Sequence, residues 1–341
     1  MKRLLCLFLL LSLFLSGCAG QAPQESKKFE ASFLDLFDTI TTVVGFAASQ
    51  EEFRAMVQPL HDELLEYHQL FDIYNDYPGI SNLKTVNDNA GIAPVAVDAR
   101  IIRLLQDCKT YHTGTAGRVN VAMGSVLRLW HDARSQGLND PVNAALPDYS
   151  ALEQAALHTD PETVLIDEAA GTVFITDPDV RLDVGAIAKG WALEQAAKNA
   201  PEGLLISVGG NVVATGPKDS SGTPWVIGIQ DPAGGSNYLH TIYVSGGSVV
   251  TSGDYQRAYM VAGQVYHHII DPDTLYPSTL WSSVTIVCPD SGLADALSTA
   301  LFLLPQAEGQ ALLDHFGALA MWVDRDGNIF YSPGFEKIIR T

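Results

Sequence analysis

Apolar and polar residues change their period several times along the chain, and each change marks an element. Asp38 to Phe46, rich in Thr and Val, predicts a strand. Ser49-x-x-Glu52 is a capping box, and Phe53, Met56/Val57, Leu60 and Leu64 follow at helical spacing, with Pro59 expected to kink that helix. Asp72 to Gly91 reads as a polar loop carrying Tyr74, Ser81, Asn82, Asn87 and Asn89, long enough to suit a functional loop as well as a surface excursion. Asp98 caps a second helix, buried through Ile101, Ile102, Leu104 and Leu105 and running to about His112. Gly117 to Gly124 sets small residues around a short apolar run, which suits a backbone lying close to a ligand or a tight turn. Gln136 to Asp148 reads as a surface loop, Ser150 opens a short helix, and Thr163 to Ile166 with Thr172 to Ile175 predicts a hairpin.

Strands dominate the second half. Leu204 to Val208 and Val212 to Ala214 flank a tight turn at Gly209-Gly210-Asn211. Trp225 to Ile229, Thr241 to Val244, Ser248 to Val250, Ala258 to Val261 and Gln264 to Ile270 follow. Ser283 to Val287 and Leu319 to Val323 enclose a helix over Leu293 to Leu304, and a last hairpin turns at Asp324 to Asn328. No internal repeat and no strong linker interrupts this order. The pattern predicts an α+β fold of mixed, hairpin-rich sheets with packed helices, one catalytic domain of two intimately packed halves over residues 30–341.

Composition narrows the function. The chain has 341 residues, 47% of them hydrophobic, which is ample core material. Its 39 acidic residues outnumber 20 basic ones for a formal charge of −19, without a basic run beyond the first three positions. Binding to nucleic acid through phosphate neutralisation is thereby excluded. Lys2 and Arg3 precede an apolar stretch from Leu4 to Leu15, too short for a comfortable membrane span, and Leu15-Ser16-Gly17-Cys18 matches a lipobox. Residues 1–17 are therefore expected to be a lipoprotein signal peptide, and residues 18–29 a lipidated Cys18 with a polar tether. The domain would then sit on the extracytoplasmic face of a bacterial membrane. Cys108 and Cys288 are expected to be buried free thiols.

Three clusters could carry chemistry. Arg181 to Ala192 (R-L-D-V-G-A-I-A-K-G-W-A) ends a strand-like run in Asp183, the natural N-cap of the helix containing Lys189 and Gly190. Such a junction can hold an anion, although alone it reads as a capped helix with a surface lysine. Tyr266 to Pro272 (Y-H-H-I-I-D-P) pairs two histidines on a strand, where they point to opposite faces. His267 reads as a solvated strand residue. His268 shares a face with Ile270, and Asp271 in the turn could aim back into a site. Ala294 to Ala300 (A-D-A-L-S-T-A) sets Asp295 and Thr299 one helical turn apart, the oxygen donors that Mg²⁺ prefers. Alone, that pair reads as a dipole-favoured acid and a threonine bonded to its own helix.

Together, L-D-V-G-A-I-A-K-G-W-A, T-S-G-D-Y-Q-R (Thr251 to Arg257), Y-H-H-I-I-D-P and A-D-A-L-S-T-A resemble, in order and spacing, the ApbE-like FAD:protein FMN transferases, over about Phe37 to Tyr331. The resemblance implies a T-fold-related domain. It also implies Mg²⁺-dependent transfer of the FMN half of FAD to a Thr or Ser of an acceptor protein, with release of AMP. By motif, Asp183 and Lys189 would contact FAD, with Ile270 against the dinucleotide. Tyr74 and the Ala122-Met123-Gly124 backbone would lie on its flavin or adenine side. The Ala186 carbonyl, Asp295 and Thr299 would hold the metal, and His268 or Asp271 would take the hydroxyl proton. An extracytoplasmic acceptor, such as a subunit of a membrane redox complex, is the implied partner. The chain departs from the family at Leu275, where a glycine is usual and a bulkier residue could reshape the acceptor entrance, and at Asn120 and Ala122. Competing readings are a metal-dependent FAD pyrophosphatase and a non-catalytic FAD-binding lipoprotein. A P-loop or Rossmann reading lacks its glycine spacing.

Overall fold

The computed structural model describes residues 26–235 and 237–341, so Cys18 and the signal-peptide stretch lie outside the described residues. Strands β1 (Lys27–Leu36) and β2 (Thr39–Ala47) pair antiparallel through a turn at Phe37 and Asp38, both in the left-handed region at φ 53° and 52°. Helices α1 (Gln50–Phe71) and α2 (Leu83–Asp88) follow, then β3 (Val95–Ala96), α3 (Ala99–Gly114), α4 (Gly124–Asn139) and α5 (Tyr149–Ala156). The hairpin β4 (Val164–Asp167) and β5 (Thr172–Ile175) leads to α6 (Ala188–Asn199). Next come β6 (Leu204–Val208), β7 (Asn211–Ala214), β8 (Trp225–Gln230), β9 (Tyr238–Val244), β10 (Gly247–Gly253), β11 (Tyr259–Val261) and β12 (Gln264–Tyr266). The last elements are β13 (Trp281–Cys288), α7 (Ser291–Phe302), α8 (Gln306–Phe316), β14 (Leu319–Asp324) and β15 (Ile329–Tyr331).

Eight strands form one antiparallel sheet in the order β1-β2-β6-β7-β10-β13-β14-β15. Alternation along the strands sends Val43, Ile206, Val208, Val250, Val284 and Ile286 to one face, where helices cover them. The opposite face carries Ala214, Val249, Met321 and Val323 against Trp225, Ile227 and Ile242 of the β8–β9 pair. The sheet is thus covered on both sides, and each fully buried aliphatic side chain contributes about 1.5–3 kcal/mol. The smaller sheet β3-β5-β4 and the β11–β12 hairpin sit apart from it.

The expected class, α+β with hairpin-rich sheets, is the one observed. Ser49 caps α1 as read, its Oγ accepting from Glu52 N at 3.1 Å, while the Glu52 carboxylate accepts from Ala48 N, one residue before the cap, at 2.7 Å. Asp98 caps α3, and both cysteines are buried and free. Other details differ. β1 begins at Lys27, inside the stretch read as a tether. The polar loop contains α2, because Asn82 accepts from Thr85 N at 3.1 Å and nucleates a turn. β12 stops at Tyr266, and His267 is buried, not solvated: Nε2–H donates to the Ser278 carbonyl at 2.8 Å, and Nδ1 accepts from Ile269 N at 3.2 Å.

Candidate functional site

Residues 181–183 are held by their own backbone. Leu182 N donates to Asn87 Oδ1 at 2.7 Å, Asn87 Nδ2 donates to the Leu182 carbonyl at 3.0 Å, and Asp183 N donates to the Val121 carbonyl at 2.8 Å. Asp183 is not the N-cap. Its Oδ1 accepts from Gly185 N at 2.8 Å, and the Val184 carbonyl gathers the N–H groups of Ile187 and Ala188, so a separate turn precedes α6 and Ile187 becomes the cap. This extra turn leaves Ala186 half-buried at the cavity wall.

The next contact joins two helices. Gly190 N donates to Asp295 Oδ2 at 2.9 Å and not to the Ala186 carbonyl four residues back, which is left without a helical partner. A Cβ at Gly190 would lie 2.3 Å from the Ser291 carbonyl oxygen and 2.6 Å from Asp295 Cβ, so only glycine lets α6 and α7 approach this closely. Lys189 Nζ donates to the Gly185 carbonyl at 3.1 Å and stands 3.6 Å from Asp295 Oδ2. Asp295 itself is only 3% exposed. A buried carboxylate, a free carbonyl and the Thr299 hydroxyl are hard oxygen donors, which suit Mg²⁺.

A cavity of about 740 Å³ opens over this junction, a size typical of small-molecule sites. Tyr74, Met123, Asp183, Ala186, Lys189, His268, Ile270, Asp295 and Thr299 all line it. Ala122 and Gly124 lie behind Met123. Gly124 N donates to the Arg181 carbonyl at 2.9 Å, and a Cβ there would fall 2.4 Å from that oxygen, so the glycine serves strand docking. Asp271 stays outside the cavity: Oδ1 accepts from Asp273 N at 2.8 Å and faces Arg118 Nη1 at 3.4 Å. Its contacts are those of a turn and ion-pair residue, whereas His268 lines the cavity. Leu275 is buried behind residues that line the cavity. At φ 62° it packs with Met123, Trp130 and Ile270, and its carbonyl accepts from Trp130 Nε1 at 2.9 Å.

His268 Nδ1 donates to the Gln256 carbonyl at 3.1 Å, so Nε2 carries a free lone pair. Burial first, then Arg257, His267, Lys189 and Arg134, push its pKa down to about 3, and the imidazole is neutral. Tyr74 stacks on His131 with ring centroids 5.2 Å apart, and burial followed by the Asp183 charge raises its pKa to about 12. Sequence reasoning gave no role to Arg118, His131, Arg134, Asn211 or Arg257, which also line the cavity. In a chain with 20 basic against 39 acidic residues, an arginine cluster is a signal that composition averages away. Among the described residues, His158, Asp177 and Asp179 also bring metal-type donor atoms within 4.8 Å of one another, but none of them lines this cavity.

The profile of the ApbE family matches residues 37–322. The chain belongs to the ApbE family. This ApbE-family chain is 34% identical over 280 residues to the FAD:protein FMN transferase of Treponema pallidum (strain Nichols), a match covering 76% of this chain and 75% of that protein. Its likeness to the FAD:protein FMN transferase of Klebsiella pneumoniae (strain 342) is 32% identity over 265 residues, covering 74% of this chain and 79% of the relative. The ApbE protein of Thermotoga maritima superposes with a TM-score of 0.81 at 31% identity, covering 92% of this chain and 100% of that one. The flavin transferase ApbE of Vibrio cholerae shares the fold at a TM-score of 0.75 and 22% identity, covering 92% of this ApbE-family chain and 100% of its own.

Proposed function

We propose that this protein transfers the FMN half of FAD to a Thr or Ser hydroxyl of an acceptor protein, forming a phosphoester and releasing AMP. The observation that carries the reading is the α6–α7 junction, where buried Asp295, the free Ala186 carbonyl, Thr299 and Lys189 meet on one wall of a dinucleotide-sized cavity. Asp295, Ala186 and Thr299 would hold Mg²⁺, which when bound neutralises pyrophosphate charge at the reacting phosphorus. Lys189 adds a positive charge beside the same oxygens. Asp183 is fixed by its Gly185 bond at the cavity wall and orients the dinucleotide, with Tyr74, Met123 and Ile270 supplying its apolar contacts. His268 Nε2 accepts the proton of the acceptor hydroxyl, with its ring orientation set by the Gln256 carbonyl. An anionic substrate offsets the cationic field on His268 and so raises its basicity.

The lipobox supports a protein anchored through Cys18 on the extracytoplasmic membrane face, with an acceptor on the same side, such as a subunit of a membrane redox complex. FAD, Mg²⁺ and a Thr-bearing acceptor are incubated with the protein and the acceptor mass is measured. An increment of one FMN phosphoryl unit supports transfer, whereas free FMN and AMP with unmodified acceptor indicate the pyrophosphatase reading. Asp295→Ala is expected to abolish Mg²⁺-dependent turnover, and full activity in that variant removes the metal assignment.

A further inference from the structure

Four cationic side chains line the cavity, and they fall into two classes. Arg118 is matched by Asp271 at 3.4 Å and Asp273 at 2.7 Å, and Lys189 by Asp295 at 3.6 Å. Arg134 and Arg257 have no carboxylate within 4.0 Å among the described residues. They are also neighbours. Arg134 Nη1 donates to the Arg257 carbonyl at 3.4 Å, and Arg134 Nη2 lies 3.2 Å from His131 Nδ1. In a chain with a formal charge of −19, two neighbouring arginines that form no ion pair make a local positive site, with Asp183 acting on Arg134 only at longer range.

The backbone points the same way. Arg257 sits at φ 46°, a left-handed conformation that a residue with a Cβ occupies only when its surroundings impose it. That conformation holds its carbonyl against Arg134 while its side chain joins the cavity lining. Burial, followed by the Arg257 charge, pushes the Arg134 pKa down. Asn211 is 2% exposed, lines the same cavity, and leaves Nδ2 without a hydrogen-bond partner among the described residues. Two neighbouring arginines without a paired acid form an incomplete shell that an anion with several oxygens completes.

We infer that Arg134 and Arg257 clamp a phosphate group of the bound dinucleotide, in addition to the charge that Lys189 supplies. This rests on the reading that FAD is the substrate. Paired guanidiniums suit phosphate oxygens because their planar forks bond two oxygens at once. The clamp would help hold the pyrophosphate in place while the acceptor hydroxyl attacks, and would stabilise charge on the phosphate that departs or remains. The phosphate could belong to the AMP half or the FMN half, and the two are separable by experiment.

Binding of AMP, adenosine, FMN and riboflavin to the full chain is measured by calorimetry with EDTA present, so that no metal contributes. The clamp predicts that phosphate strengthens binding in at least one pair, AMP over adenosine or FMN over riboflavin. In Arg134→Gln/Arg257→Gln that advantage is expected to fall by about 10- to 100-fold while adenosine and riboflavin affinities hold, which also reports a folded cavity. Arg134→Lys/Arg257→Lys should restore part of it, since charge returns without the fork. Loss confined to AMP places the clamp on the leaving half, and loss confined to FMN places it on the transferred half. An unchanged phosphate advantage in the Gln variant overturns the clamp, as does an equal loss for all four compounds. If the wild-type chain transfers FMN yet shows no phosphate advantage, the clamp falls alone. If it binds neither FAD nor its halves, the substrate reading falls with it.

Discussion

Gly190→Ala tests the contact on which the site depends. The new Cβ would sit 2.3 Å from the Ser291 carbonyl oxygen, and ordinary contact begins near 3.4 Å, so about 1.1 Å must be found by moving α7 away from α6. Both partners are backbone or Cβ atoms, and no flexible side-chain end can yield. Alanine would raise intrinsic helix stability by about 1 kcal/mol, and Gly190 has a negative φ that alanine accepts. Overpacking costs about 1–3 kcal/mol, so the net effect is a loss of about 0–2 kcal/mol. The effect on function should be larger. A shift of about 1 Å breaks the 2.9 Å Gly190–Asp295 bond and carries Asp295 and Thr299 away from Ala186 and Lys189. Misplacement on that scale costs about 100-fold in rate. Thermal unfolding and FMN transfer across an Mg²⁺ titration measure both effects. A G190A protein with higher Tm and an unchanged Mg²⁺ dependence refutes the reasoning.

Asn87→Ala leaves the buried N–H and carbonyl of Leu182 without their side-chain partners, and a loss of about 2–4 kcal/mol is expected in urea unfolding; a loss under about 0.5 kcal/mol removes the positioning role. Leu275→Gly relieves a left-handed backbone worth about 1–2 kcal/mol but empties a buried leucine site worth about 2–5, so a net destabilisation of about 1–3 kcal/mol is expected; a rise in Tm would show that strain dominates. His267 is held neutral chiefly by burial, with a pKa pushed down to about 4 from 6.5. Between those values the unfolded chain binds a proton that the folded one does not. Its contribution is therefore complete above pH 6.5, is lost progressively as pH falls through the window, and amounts to about 3 kcal/mol. Urea midpoints from pH 7.5 to 4 should fall accordingly and flatten in His267→Gln; equal slopes for the two proteins contradict the assignment.

Much of the fold was written in local pattern. The caps at Ser49 and Asp98 and the Gly209-Gly210 turn are short-range signals, and they appear where expected. Helix α4 escaped notice because Gly124, Ser125, Arg128, His131 and Asp132 interrupt the apolar positions Val126, Leu127, Leu129, Trp130 and Ala133. β1 escaped because its edge position leaves most of it polar and exposed. At the site, residues carried by contiguous motifs (Asp183, Lys189, Asp295 and Thr299) were legible, and the structure gathers them around one cavity. Arg134 and Arg257 were not, since they lie 123 positions apart and are brought together by tertiary packing. His267 misled for a related reason. Alternation predicts a side chain's face only while the strand continues, and β12 had already stopped.

The position of β1 gives the molecule a length scale. Lys27, where the strand begins, lies at one end of β1, and Asp38 and Thr39, just past its other end, already line the cavity. Ten strand residues span about 33 Å. If Cys18 carries the anchor as proposed, the nine steps from it to Lys27 add at most about 30 Å. Strand and linker together then set an upper limit on how far the cavity can stand from the lipid surface. Acceptor hydroxyls would be accessible only within a layer some 60 Å deep, which sorts potential acceptors by their height above the membrane as well as by their sequence.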